Sequence, residues 1–382
     1  VLIGLFTWSA VNQVSIRGGE RLVRPSREQL EKSVRRALQE AKDPRKAVVL
    51  AAAGTAAVAA RLGIRRHQDG DGRVFDSGAY ELLEGEPVGQ GITRVILARV
   101  DDAIAQLRGE AGSEPAVGVH EARKDIKKIR SALRMVRDEL GDDVWRRENE
   151  HYRDVARTLS AFRDAEILVE ALDSLGERFG APARERFARL RAELEREVRA
   201  AHDDGSIERA MTTAAGELSA GRPRTAQLDL DGDGWELIGP GLHRSYRRGR
   251  RRLRAVEEEA SVANLHELRK RVKDLWYQLR LIRSAEPHTI GALADHAHDL
   301  SDHLGDDHDL ALLREEAGRR RDAFAEPGER RNLAELIDRR RGELQFAAIS
   351  LATRIYAQKP KKFTRRLSAR WTDWRERGSI AA

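Results

Sequence analysis

The sequence predicts an all-α protein made of two pseudo-symmetric four-helix bundles, the product of an internal duplication, around a basic central groove or pore. Three observations carry this prediction. The stretch beginning His120-Glu121-Ala122-Arg123-Lys124 recurs from His266-Glu267-Leu268-Arg269-Lys270. Apolar residues return at helical spacing through long segments, and among 382 residues 35% are charged and only 5% aromatic, as a helical chain requires. Two halves of about four helices each bury their apolar stripes most simply as two bundles side by side.

Written without a gap, HEARKDIKKIRSALRMVR from His120 lies over HELRKRVKDLWYQLRLIR from His266. On a helix, His120, Arg123, Lys124, Lys127, Arg130, Arg134 and Arg137 form one stripe, and Ala122, Ile126, Ile129, Leu133, Val136 and Leu140 lie opposite. In the second copy His266, Arg269, Lys270, Lys273, Arg280 and Arg283 form the stripe, and Leu268, Val272, Leu275, Leu279 and Ile282 the packing face. Like charges in a row repel, so the arrangement needs a polyanion, or acids from elsewhere in the fold, against it. One such stripe is ordinarily a solvated face, but recurrence in register argues for a ligand.

A net charge of +7 and a pI near 9.7 favour an anionic partner. Arg far outnumbers Lys, a bias that a GC-rich genome can also supply, so the placement of the charges says more than their sum. With no cysteine there is no disulfide framework, thiolate nucleophile or Cys-ligated metal. The chain begins without an initiator methionine or a recognisable signal peptide.

Residues 1–79 read as an N-terminal extension and linker. An amphipathic helix is expected from Pro25 to about Lys42, and Ala47 to Ala60 is uncharged but shorter than the ~20 residues of a bilayer span, so a buried Ala-rich helix is expected and no membrane span. His67 to Gly78 has loop composition. The main domain is expected over 80–378, with halves at about 86–220 and 235–378. Gly91 opens its first helix, through Ile92, Val95, Ile96, Val100, Ile104 and Leu107, and the first basic helix follows up to a break at Gly141. A helix from about Trp145 carries His151, Arg153, Arg157 and the sequence Leu159 to Asp164, and another runs from about Ala183 to Ala201.

Gly221 to Gly241 has the Gly, Pro and Asp content of a linker between halves. The second half restarts at Gly241-Leu242-His243-Arg244, matching Gly91-Ile92-Thr93-Arg94, on a helix rich in arginine: Arg244, Arg247, Arg248, Arg250, Arg251, Arg252 and Arg254. Asn264 with Glu267 resembles a capping box for the second basic helix. The next helix is expected to end in Leu304 to Asp309, in step with Leu159 to Asp164, and the last segment, with Lys362, Arg365 and Arg366, is again basic.

The paired His-Glu-x-Arg-Lys-x-x-Lys, with Leu-x-x-x-Arg/His-Asp a helix later, Gly232-Asp-Gly-Trp235 before Gly241-Leu242-x-Arg244, and the basic terminal helix together resemble the CHAD family, the conserved histidine α-helical domain. The resemblance covers roughly Tyr80 to Gly378. It implies two four-helix bundles around a basic surface that binds inorganic polyphosphate, a cytoplasmic place, often on polyphosphate granules, and no catalysis or cofactor. The implied binding residues are His120, Arg123, Lys124, Lys127 and Arg134, then His266, Arg269, Lys270, Lys273 and Arg280, supported by Arg94, Arg153, Arg157, Arg244 and Arg248. Arg130, Arg251, Arg283, Lys362, Arg365 and Arg366 extend the cationic set. The halves differ: Arg153 and Arg157 face His298 and Asp302 in the repeat, and Lys128 and Arg130 become Asp274 and Trp276. Members of the family are often fused to a CYTH triphosphatase domain, but the first eighty residues are too short for one and lack Glu-x-Glu-x-Lys.

Polyphosphate is a dense line of charge without bases, and guanidinium and ammonium groups in a long track suit it. His120 and His266 are expected near helix starts, where backbone N–H groups also favour anions. Two rival readings are carried. Nucleic acid feels the same field, but aromatics for base stacking are few beyond Trp276 and Tyr277. A metal-dependent phosphohydrolase is motivated by the His/Asp cluster 295–309, whose milder reading is that its acids neutralise and orient the Arg-rich helices, Asp164 and Asp309 especially.

Overall fold

The computed structural model describes residues 80–160, 164–203 and 205–381. The chain divides into two units, Val1–Asp71 and Gly72–Ala382. The helix expected at 25–42, the Ala-rich segment and the 67–78 loop fall outside the described residues, as does part of the Leu159 to Asp164 sequence.

The described residues carry twelve α-helices and no strand, so the protein is all-α. In order these are α1 Val88–Leu107, α2 Pro115–Met135, α3 Arg137–Thr158, α4 Asp164–Phe179, α5 Ala181–Arg186, α6 Ala188–Asp203, α7 Ser206–Ala226, α8 Trp235–Glu258, α9 Val262–Leu281, α10 Ala292–Arg319, α11 Pro327–Ile355 and α12 Pro360–Ala381. The two repeated stretches are α2 and α9. Their apolar faces are buried as the spacing predicts: Ala122, Ile126, Ile129 and Leu133 of α2, and Leu268, Val272, Leu275 and Leu279 of α9, are each 0% exposed. Burying a side chain of this size stabilises by about 1.5–3 kcal/mol, so these faces fix which side of each helix is left for charge.

The buried side chains do not group by halves of the sequence. One core joins α1, α2, α3 and α7 of the first half with α8, α9, α12, the start of α10 and the end of α11, from Ala348 to Ile355, from the second. A second core joins α4, α5 and α6 with the far end of α10, from Leu310 to Ala317, and Leu333 to Leu344 of α11. The long α10 and α11 thus pass from one core to the other.

Several boundaries differ from expectation for identifiable reasons. The 221–241 linker shrinks to 227–234, because Gly221 lies inside α7, which ends at Ala226, and Gly241 lies inside α8. Gly241 serves close approach instead of a turn: a Cβ there would lie 1.9 Å from the Met135 carbonyl oxygen. α1 opens at Val88 instead of Gly91, and its Val88 N–H is capped from a distance by Asp233 Oδ1 at 3.0 Å, in the shortened linker. The 183–201 segment is two helices, and α7 was not anticipated. The expected break at Gly141 is present as a single non-helical residue with φ 72° inside α3.

Ser261, not Asn264, caps α9: its side chain accepts from the Asn264 N–H at 3.3 Å. The Asn264 amide instead donates to Ala255 O and Glu259 O, closing the end of α8. With α2 beginning at Pro115 and α9 at Val262, His120 and His266 lie past the first turn. Only the first four N–H groups of a helix are unsatisfied, so the helix-end contribution expected at these histidines is absent. α10 runs on to Arg319 where an end was expected near Asp309.

Candidate anion-binding surface

The two repeated helices touch directly. Ser131 Oγ of α2 donates to the Asp274 carbonyl at 3.0 Å, and Gln278 Nε2 of α9 donates to the Ser131 carbonyl at 3.3 Å. At the same crossing Arg134 Nη1 donates to Asp274 Oδ1 at 3.0 Å, and Arg271 pairs with the other oxygen at 3.1 Å. Arg244 of α8 donates to the Arg134 carbonyl at 3.3 Å and pairs with Asp138.

Around this crossing arginines from four helices gather: Arg130 and Arg134 of α2, Arg137 and Arg153 of α3, Arg244 and Arg248 of α8, and Arg271 of α9. Asn149 Oδ1 accepts from Arg130 Nε at 3.2 Å. Neither Arg130 nor Arg248 has an ion pair among the described residues. Burial and then the Arg134 guanidinium, against the pull of Asp274, bring Arg130 down to about 10. Arg248 is lowered by burial and by Arg271, Arg137 and Arg244, with Asp274 again opposing. Both remain charged near neutral pH, so like charge is concentrated here, offset in part by Asp274 between Arg134 and Arg271, Asp138 on Arg244, Asp142 on Arg137 and Asp154 on Arg153.

A second group lies toward the start of α9. The His266 ring sits 4.5 Å from that of His308 on α10, centroid to centroid. Burial first, then each other's neighbours Lys270 and Arg269, or Arg269 and Arg341, lower both histidines; His308 also acts on His266. Arg269 lies against Gly305, where a Cβ would come within 3.2 Å of its guanidinium. Arg123, at the matching place in the first copy, donates to the Leu159 carbonyl at 2.7 Å and closes the end of α3.

Other expected residues are engaged differently. Arg94 is held by Glu86, at 2.6 and 3.0 Å, and by the Glu81 carbonyl, so it latches the entry to α1. Lys124 pairs with Glu121 at 3.0 Å and Lys270 with Glu267. Glu121 also lies 4.0 Å from His120. Arg153 and Arg157 share Asp154, at 3.0 and 3.1 Å, and Arg283 meets Asp295 at 3.6 Å. Arg280 lies over the rings of Tyr80 and Trp276. Lys127 is exposed and Lys273 half-buried on the outward stripes. Arg251 is exposed on α8, and Lys362, Arg365 and Arg366 are exposed on α12. Arg271 is the member that the repeat concealed, because the first copy carries Asp125 at its place. There Asp125 pairs with Lys128 at 3.3 Å, whereas Arg271 pairs with Asp274, so the two charges are exchanged between copies.

The 295–309 cluster is spread around α10. Asp302 pairs with His298 at 3.2 Å, and buried Asp307 accepts from Arg341 at 2.9 Å and from Gln345 at 2.8 Å. His298 stacks on Trp276. Among the described residues no group of three or more His, Asp or Glu is arranged to hold a metal ion. Asp307 holds Arg341 of the neighbouring helix, the role expected of the acids in this cluster; the Asp164 side chain lies outside the described residues. No described helix is long and apolar enough to cross a membrane.

No curated protein matches the chain. Among solved structures it is similar to the crystal structure of the CHAD domain from the plant Ricinus communis, at 18% identity over 75% of this chain and 96% of that one, with a TM-score of 0.49. The CHAD domain model matches residues 92–318, more than half of the sequence and both copies of the repeated helix. The chain belongs to the CHAD domain family.

Proposed function

We propose that the protein binds inorganic polyphosphate along the surface where α2, α3, α8 and α9 bring their arginines together, and that it holds the polymer without cleaving it. The observation that carries this reading is the crowding at Asp274. Arg134 and Arg271 share that one carboxylate while Arg130 and Arg248 stand beside them without an ion pair among the described residues. A line of phosphate oxygens relieves the repulsion and accepts the unused N–H groups, each charge-assisted contact contributing about 1.5–3 kcal/mol. On this reading the protein belongs in the cytoplasm, on polyphosphate granules.

Nucleic acid is the second reading, since phosphate charge alone attracts it. Against it, Trp276 and Tyr277 are buried, at 4% and 2% exposure, as are all five tyrosines, and half-buried Trp145 is covered by Arg137, so few rings are left for base stacking among the described residues.

The test is a competition titration. Labelled long-chain polyphosphate is bound at near-physiological salt and displaced by unlabelled polyphosphate, duplex DNA or single-stranded RNA, and its length is checked afterwards on a gel with and without divalent metal. Strong preference for polyphosphate, recovered intact, is expected, as is loss of most affinity on reversing Lys127, Arg134, Lys273 and Arg280 to Glu. Equal competition by nucleic acid, metal-dependent shortening, or normal binding by the reversed variant each overturns the reading.

A further inference from the structure

α8 is cationic on two edges, and only one of them faces the crossing of the repeated helices. Residues 237–256 of this helix contain no acid. Its buried side, with Leu242, Tyr246, Gly249 and Leu253, is packed into the core, and arginines occupy the rest of the circumference. Arg244, Arg248 and Arg252 fall at successive four-residue steps and form one row. Arg247, Arg250 and Arg254 form another, separated from the first by roughly 130° at about 100° per residue.

The two rows meet different neighbours. In the first row Arg248 lies among Arg271 and Arg137, and Arg252 reaches Glu267 of α9 at 3.7 Å. The second row faces α12, which lies on α8 through the stack of Tyr246 on Phe363, ring centroids 3.8 Å apart, and through His243 Nδ1 and Thr364 Oγ1 at 3.1 Å. Both helices place cations along that seam. Arg247 and Lys361 flank His243, and Arg250 and Arg366 flank Tyr246. From Pro360 to Thr372, α12 also contains no acid, and Lys361, Lys362, Arg365 and Arg366 are exposed. Arg247 and Arg254 are exposed as well, and none of these six has an ion pair among the described residues.

We propose that the α8/α12 seam is a second, separately occupied polyanion site, so that one protein holds two polyphosphate segments and cross-links chains. The proposal rests on the reading of the central surface as a polyphosphate site. Two parallel rows on one helix, each completed by a different partner helix, are the geometry of two tracks; a single track would need the polymer to pass over the crest at Arg251 between them. Because multivalent contact draws long polymers together, the consequence is condensation of polyphosphate by the protein.

Calorimetric titration of the full chain with a short polyphosphate of defined length, followed by light scattering with long-chain polyphosphate, tests this. Two short chains per protein are expected. Lys361→Glu, Lys362→Glu, Arg365→Glu and Arg366→Glu combined should leave one, and Arg130→Glu with Arg248→Glu should also leave one. The wild type should scatter with long chains and both variants should not. The α12 positions point to solvent, and the same four changed to Ala, with unchanged helicity by circular dichroism, guard against misfolding. One chain per protein, abolished by either variant, means a single continuous track and overturns the proposal alone, as does an α12 variant that behaves like wild type. No polyphosphate binding by the wild type overturns the central reading with it.

Discussion

Arg134 of α2 donates to Asp274 of α9 at 3.0 Å, and Asp274 stands where the other copy of the repeat carries Lys128. One exchange of sign therefore turns two like-charged helices, which would repel, into a pair joined at their crossing. Asp274 also holds Arg271, so this carboxylate joins two of the arginines while competing with any anion for them.

Asp274→Asn is accordingly expected to act in opposite directions on stability and binding. Loss of the two ion pairs should destabilise by about 1–3 kcal/mol in chemical denaturation. Polyphosphate affinity should rise by about tenfold at fixed salt, since the built-in competitor is gone. Unchanged or weaker binding by a folded variant would show that Asp274 positions the arginines more than it competes for them.

Binding should follow the ionic strength closely, the logarithm of the association constant falling linearly with that of the salt concentration. Arg248→Gln should make the slope shallower, whereas Arg94→Gln should leave it as it is, because Arg94 is already committed to Glu86 and the Glu81 carbonyl. Equal slopes for Arg248→Gln and the wild type would remove Arg248 from the site.

Stability should fall on mild acidification. His151, His243, His266, His303 and His308 are all lowered from the ordinary histidine value, burial being the largest cause in each. The unfolded chain then takes up protons before the folded one, so their contribution is full above about 6.5 and is lost as pH drops toward the lowered folded values. The melting temperature should decrease between about pH 7.5 and 5.5. His308→Gln should flatten that decrease, and a melting temperature that holds or rises over the window contradicts the assignment.

Two glycines should respond oppositely to alanine. Gly241→Ala drives a methyl group into the Met135 backbone and should cost about 3 kcal/mol or prevent folding. At exposed Gly216, within α7, a Cβ meets nothing within 4 Å, and alanine should stabilise by about 0.5–1 kcal/mol. Thermal melts of the two variants decide both expectations.

Much of the fold was legible because burial leaves a period. The packing-face residues read from spacing, Ala122 to Leu140 in the first copy and Leu268 to Ile282 in the second, are all buried. Glycine was misread in the 221–241 segment because composition does not separate a glycine needed for a turn from one needed for helix contact. Gly221 against the His151 ring and Gly241 against the Met135 backbone are of the second kind. The α1 cap was also out of reach, since Asp233 is far from Val88 in sequence.

The same limit applies to the surface. By itself the sequence determined the helical class, the duplicated element and which side of each basic helix is left for charge, because these follow from local periodicity and from matching residues. Only the tertiary structure decided which cations are taken, Arg94 by Glu86 and Arg123 by the Leu159 carbonyl, and which are crowded, Arg130 and Arg248 beside Arg134 and Arg271. Whether an arginine is paired or poised for a ligand depends on Coulomb forces and hydrogen bonds between residues distant in the chain, and those distances exist only once the helices have packed.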